Sequence, residues 1–421
     1  MRWGCLRAVC ACCLFAFPVY SAEPEGPALT LRAAIDRARA NQPALAGFLF
    51  DLTVQEARVS EAGLRAPLQG EVLVEDAFGT GDRRALSAAQ TTLSLSHVVE
   101  LGGKRESRLA LAGVAGEQLR TAQSALQLDV MAEVARRFLV VLNWQARSVV
   151  ADDGVAIAQR TRDAVTQRVN AARAPAAEAI RAEVNLVEAE LDVEDAEHEL
   201  ETARRFLAAA MGDAEVTFGR AAGSLTDLPP AIPLPTLLAK LERSPDFLHF
   251  ADEARRRDAE LRLAETRRRP DIRAMVGVRR YEQGDDVALI GGVTIPFSSA
   301  SRAQAQIDIA RAQRGRLDSE RAAAFLKAQA LLFDQYQALE HARHEFGLVR
   351  DQIIPRLEMA LSQTEYAYQQ GRYSYLEWTS AQQALLEARL RLVNVATDFH
   401  TFRTEIERLT GESLDLSGAT P

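Results

Sequence analysis

Three sets of residues have types and spacings that chemistry uses. Cys10 and Cys13 are spaced like a thiol redox pair or half of a zinc site. His341 and His344 lie one helical turn apart beside Glu340 and Glu345, as ligands on one helix face would. Glu178 and Glu377 are carboxylates separated by 199 positions. The cysteine pair falls among Cys5, Cys10, Cys12 and Cys13, the four cysteines of the chain, inside or beside an apolar run from Ala8 to Val19 that follows Arg2 and Arg7. That run is too short for a spanning helix and reads as a secretory signal peptide over residues 1–22, cleaved after Ser21 or Ala22. The expected mature protein then has no disulfide and no thiol nucleophile. The histidines lack a third placed ligand, so a solvated helix face is their expected role. No Ser-His-Asp constellation, phosphate loop or zinc-protease motif stands in a usable context, and neither an enzyme nor a cofactor is expected. What remains is the glutamate pair, which reads either as a solvated helix-start charge favoured by the dipole or, if several chains repeat it around an axis, as a ring of carboxylates that attracts cations.

The separation of 199 is itself informative. Laying the segment that ends near Met211 on the one that ends near Thr410 makes the hydrophobic positions coincide. Leu186, Val193, Leu200 and Leu207 fall on Leu385, Leu392, Phe399 and Ile406. Ala189, Ala196, Ala203 and Ala210 fall on Ala388, Val395, Phe402 and Leu409. Each row repeats every seven residues, and together they form the a and d seams of a left-handed coiled coil. Gly212 falls on Gly411, and Glu178 on Glu377. The chain therefore reads as two copies of one unit, residues 23–227 and 228–421, joined at the Pro-rich stretch from Leu228 to Pro235.

Each copy opens with a short amphipathic helix, Leu31 to Ala40 or Leu234 to Leu241, and a longer helix that stops before Pro67 or Pro270. A strand pair follows, at about 68–99 in the first copy and 271–297 in the second. Ile272, Ala274, Val276 and Val278 alternate with Arg273, Met275, Gly277 and Arg279. After the Gly284-Asp285-Asp286 turn, Val287, Leu289, Gly291, Val293 and Ile295 continue the apolar face. The first copy repeats this more weakly, with Leu68, Gly70, Val72 and Val74, then Leu93 and Leu95. Strands of about 10 residues with one apolar and one polar face have the pattern of an outer-membrane barrel wall. Four strands cannot close such a barrel, so several chains must contribute.

Beyond each hairpin, helical sequence runs from about Glu106 to Asn170 and from about Arg302 to Gln370, roughly 100 Å each at 1.5 Å per residue. Short returns, Ala171 to Pro175 and Gly371 to Ser374, reverse the chain into the heptad helices. The fold class expected is mainly α with a β-barrel portion: long coiled-coil helices and two β-hairpins in duplicated units. Composition agrees with this. The net charge is only -8, the 26% charged residues are mixed in sign, and no basic stripe of the kind nucleic acid requires is present.

Signal segment, duplicated units and in-register heptads together resemble the TolC family of outer-membrane efflux factors over essentially the whole mature chain. Leu29-Thr30-Leu31-Arg32-Ala33-Ala34-Ile35 with Asn41-Gln42-Pro43 is similar to the family's opening helix. Arg168 to Pro175 and Tyr368 to Ser374 are similar to its two periplasmic turns. The resemblance implies a homotrimer with a twelve-stranded barrel in outer-membrane lipid of a Gram-negative bacterium. A twelve-helix tunnel would dock on a periplasmic membrane-fusion adaptor and an inner-membrane pump of the RND type. It further implies a periplasmic entrance at Glu178, Glu377, Tyr368 and Tyr373, and adaptor contacts at Ala172, Arg173, Ala174, Gly371 and Arg372. The family's linking arginine is replaced by Tyr373, and Ser380 stands for a second acid. Glu100-Leu101-Gly102-Gly103-Lys104-Arg105, with Arg108, is similar to the strand exit of heavy-metal cation efflux components. The same residues also have a structural reading, as a glycine bend with basic residues near the membrane interface.

Overall fold

The computed structural model describes residues 26–297 and 299–412; the expected signal segment and its four cysteines lie outside the described residues. Chain direction is set early by punctuation residues. Thr30 caps helix α1 (Leu31–Asn41), its hydroxyl accepting from the Ala33 amide at 3.3 Å. Pro43 and Pro245 occupy the first position of α2 (Pro43–Ala62) and α6 (Pro245–Thr266), where a missing N–H is harmless. Leu29 and Thr30 form a two-residue strand β1 that pairs in parallel with β4 (Ala221–Ala222). The amphipathic pattern begins the helix at Leu31, as the structure does; the two residues before it are too few to show a period.

Strands β2 (Gln69–Glu75), β3 (Gln90–Val99), β5 (Ile272–Tyr281) and β6 (Asp286–Thr294) form one antiparallel sheet in the order β2-β3-β5-β6. Both hairpins expected from the alternation are present, and they adjoin through β3 and β5. Register places Val72 opposite Leu93, Leu93 opposite Val278, and Val278 opposite Leu289. Because side chains alternate with period two, these four share a face, and they are 67, 62, 42 and 83% exposed. On the other face Arg279 donates to Glu75 at 2.9 Å and to Thr92 at 2.8 Å, and Thr92 and Ser94 are buried. An apolar face open to the surroundings and a hydrogen-bonded polar face is the reverse of a soluble sheet.

Gly102 and Gly103, at φ 85° and 75°, bend the chain from β3 into α3 (Lys104–Asn170). The polar residues of this corner are used locally. Lys104 Nζ lies 2.6 Å from Asp271, Arg108 pairs with Glu100, and Arg105 Nε donates to the Gly63 carbonyl at 2.5 Å. Its bend is therefore explained by the structural reading.

Helix α3 has 67 residues and reverses into α4 (Ala176–Met211); α9 (Tyr375–Thr410) mirrors α4 in the second half. The expected heptad positions turn inward: Leu186, Ala196, Ala203 and Leu207 are buried in α4, and Leu385, Ala388, Val395 and Phe399 in α9. At mid-length the seams merge into the main core, where Phe138 and Leu139 of α3 meet Ile35, Leu207, Phe399 and Leu237 of α5 (Leu234–Leu241). Gly212 ends α4 at φ 86°, and a Cβ there would lie 2.6 Å from the Asn41 carbonyl oxygen, so both conformation and space require glycine.

One helix differs from expectation. The stretch read as continuous to Gln370 is α7 (Ser299–Leu348), a π turn over Val349–Ile353, and α8 (Ile354–Gln369). Pro355 has no N–H and its ring would strike the carbonyl of Asp351. The widened turn absorbs that clash without breaking the rod.

Across the protomer everything is four elements wide. Near the sheet α2 packs on α3, α3 on α6 and α6 on α7; towards the tips α4 packs on α3, α3 on α9, and α9 on α7 and α8. The outer elements β2, α2 and α4 thus form one edge, and β6, α7 and α8 the other.

Candidate functional site

The helical tips hold a small core of their own, Val165, Ala182, Tyr368, Tyr375 and Trp378, separate from the main core. The Tyr368 ring stacks on Trp378 with centroids 4.9 Å apart, so Trp378 packs between helices. From α8 the Tyr368 hydroxyl reaches α4 and donates to Glu178 Oε2 at 3.0 Å. Burial, and then this hydrogen bond to a carboxylate, push the phenol well above its ordinary range, so it stays a donor at any physiological pH. Tyr375 takes the neighbouring contact, its hydroxyl accepting from Asn185 Nδ2 at 3.1 Å.

A residue the sequence reading did not single out completes the link. Arg168, in the last turn of α3, holds its guanidinium 4.4 Å from the Tyr368 ring centroid. It also donates through Nη1 to the Tyr368 carbonyl and through Nη2, at 3.3 Å, to the Arg173 carbonyl. One cation therefore satisfies carbonyls at the ends of both helical hairpins, where helix dipoles concentrate negative charge. A basic residue in a helix's final turn was the available signal. Arg168 thus links the last turn of α3 to α8 through a cation. Tyr373 is 49% exposed.

Glu178 and Glu377, equivalent in sequence, are used differently. Ser374 caps α9, and Glu377 closes a capping box: it accepts from the Ser374 amide at 2.7 Å while its own amide donates to Ser374 Oγ at 3.3 Å. The hydrogen bonds from the Ser374 amide and hydroxyl hold this exposed carboxyl below its ordinary pKa. Pro175 stands at the corresponding cap of α4 and offers no hydroxyl, which leaves Glu178 to take Tyr368.

Both returns are built alike. The Arg173 amide bonds the Arg168 carbonyl at 2.8 Å, and the Arg372 amide the Ala367 carbonyl at 2.9 Å, each past a residue in the left-handed region: Ala172 at φ 53° and Gly371 at φ 69°. Ala172, Arg173, Gly371 and Arg372 are exposed and Ala174 is half-buried. Further along the bundle, Arg389 of α9 joins Asp153 of α3 at 2.6 Å to Glu358 of α8 at 3.1 Å, beside a cavity of about 420 Å³. His341 and His344 are exposed, with His341 Nε2 3.6 Å from Glu345. No group of three or more metal-binding side chains occurs among the described residues. The tip arrangement fastens one helical hairpin to the other and leaves carboxylates near the fastening.

Comparison with known proteins bears on the family and the fold. Residues 238–412 match the family described as outer membrane efflux protein. The cobalt-zinc-cadmium resistance protein CzcC of Cupriavidus metallidurans is 29% identical over 395 residues, 94% of this chain and 92% of that protein. The nickel and cobalt resistance protein CnrC of the same organism is 30% identical over 261 residues, 61% of each. In structure, CusC superposes with a TM-score of 0.75 at 16% identity, covering 91% of this chain and 92% of that one.

Proposed function

We propose that this chain is the outer-membrane exit duct of a tripartite efflux system, a reading supported by the match of residues 238–412 to the outer membrane efflux protein family and by the likeness of the fold to CusC. It conducts its substrate passively, and the resistance proteins it resembles make heavy-metal cations the substrate class to test first.

The observation that carries this reading is the exposed apolar row Val72, Leu93, Val278 and Leu289, which crosses all four strands without interruption above helices roughly 100 Å long. No helix among the described residues is long and apolar enough to cross a membrane, so insertion rests on this sheet. The sheet is open at β2 and β6. Below those edges α4 exposes Ile180, Val184, Val187 and Leu191 at heptad spacing, and the opposite edge exposes Leu326, Phe333, Met359 and Tyr366. Edge-to-edge closure satisfies the open strands and covers these side chains. Three protomers give twelve strands, and the two halves of the chain, 23–227 and 228–421, read as duplicated units that make the ring nearly sixfold.

At the far end, Glu178 and Glu377 supply an acidic entrance, Tyr368 and Arg168 hold it narrow, and Tyr373 lies at its surface. The exposed returns at Ala172, Arg173, Ala174, Gly371 and Arg372 offer the docking points for a periplasmic adaptor, with an RND-type inner-membrane pump behind it. Membrane fractionation followed by mass measurement in detergent tests the assembly. A species of three chains that needs detergent for release supports the duct; clean release of monomer with the soluble periplasm means a coiled-coil scaffold instead.

A further inference from the structure

The outward row of β6 continues past the strand's end. Val287, Leu289, Val293, Ile295 and Phe297 share one parity, and Phe297 is 87% exposed. An aromatic at the foot of an apolar barrel face sits at headgroup depth. Beside it, a cavity of about 280 Å³ opens between the end of α6 and the start of α7, lined by Lys104, Arg267, Arg269, Asp271, Phe297 and Arg302 among others. Its charge is unbalanced. Asp271 is the one acid in the lining, and Lys104 already neutralises it at 2.6 Å. Arg267 donates only to the neutral amide of Gln306, while the side chains of Arg269 and Arg302 have no hydrogen-bond or ion-pair partner among the described residues. Arginines nearby on α6 and α7 are matched with carboxylates, Arg256 with Glu253 and Arg314 with Asp258. The N-terminal end of α7 adds the positive end of a helix dipole to the same place.

We infer that this cavity binds the phosphate headgroup of an anionic phospholipid from the periplasm-facing leaflet, with Arg267, Arg269 and Arg302 on the phosphate and Phe297 against the glycerol and upper acyl chain. The inference rests on the sheet being a membrane wall. A phosphate diester needs several fixed donors of positive charge, and its acyl chains need an apolar surface directly above them; both are present within one cavity and its rim. A soluble anion would use the arginines and leave Phe297 exposed. Bound lipid would also fasten α6 to α7 at the point where the wall becomes a tunnel.

Native mass spectrometry of the full-length oligomer in detergent, supplied with phosphatidylglycerol or phosphatidylcholine, tests this. Phosphatidylglycerol should be retained over phosphatidylcholine by about tenfold, and R269Q/R302Q should reduce that preference to near unity. The variant should keep its oligomeric mass and channel conductance; if the double variant fails to assemble, R302Q alone should still lower the preference severalfold. Equal retention of both lipids by the unaltered protein would overturn the inference, as would a preference that survives in the variants. Displacement of the lipid by millimolar inorganic phosphate would assign the cavity to a free anion and overturn it too. An unaltered protein that gives neither a detergent-dependent oligomer nor conductance would instead remove the membrane reading itself.

Discussion

Tyr368 and Glu178 stand 190 positions apart and meet at the tips of two helical hairpins through a 3.0 Å hydrogen bond. The phenol is buried, stacked on Trp378 and crossed by the Arg168 guanidinium, so the bond is held in place by packing as well as by charge. The chain thereby fastens its first hairpin to its second at the helical tips.

Removing that hydroxyl should loosen the tip without dismantling it. Tyr368→Phe keeps the stacked ring and leaves Glu178 without its donor, a loss of about 1–2 kcal/mol for a partly buried bond to a carboxylate. Higher conductance or open probability in bilayer recordings is expected. Unchanged gating would show that the bond does not hold the entrance.

Arg168 and Tyr368 should be energetically coupled. A double-mutant cycle of Arg168→Met and Tyr368→Leu, read by thermal or denaturant unfolding, should give a coupling of about 1 kcal/mol from the cation and ring alone. Additive effects would mean that the guanidinium acts only on the carbonyls.

The first return carries a strained residue that the second does not. Ala172, at φ 53°, occupies the place that Gly371 fills in the other hairpin, although both turns make the same hydrogen bonds. Ala172→Gly should therefore stabilise the fold by about 0.5–1 kcal/mol, seen as a small rise in melting temperature. A fall would mean that the extra chain entropy outweighs the relieved strain.

His400 gives a pH dependence of known sign. Burial, ahead of the weaker opposing hydrogen bond to the Leu225 carbonyl at 3.1 Å, holds its pKa below the ordinary 6.5. The unfolded chain then binds the proton more readily, so stability is fully present above pH 6.5 and falls as pH drops from there towards the depressed value. Melting followed between pH 7.5 and 5 should show this decline, and His400→Gln should flatten it. An identical slope in the variant would place the titrating group elsewhere.

The four-stranded sheet and the rods were legible in the sequence because both leave a strict period. Val72, Leu93, Val278 and Leu289 follow from alternation, and Leu186, Ala196 and Leu207 from heptads. The tip was legible only in part. Tyr368, Glu178 and Glu377 stood out by position, but their equal standing in the repeat hid that Ser374 takes Glu377 into a cap while Pro175 leaves Glu178 free. Arg168 escaped because a single basic residue at a helix end has no period, and Tyr368, whose ring and carbonyl it meets, lies 200 positions away. The π turn before Pro355 and the two-residue ladder at Leu29 and Ala221 likewise depend on contacts no local pattern encodes.

The most direct test of the account is planar-bilayer recording of the purified oligomer carrying Tyr368→Phe and Arg168→Met, so that the entrance is not held shut. Stable channels that prefer cations, with the preference reduced when Glu178 and Glu377 also become Gln, are the predicted result. Bilayers that stay silent with the loosened, properly assembled protein would contradict the claim that this chain forms a duct.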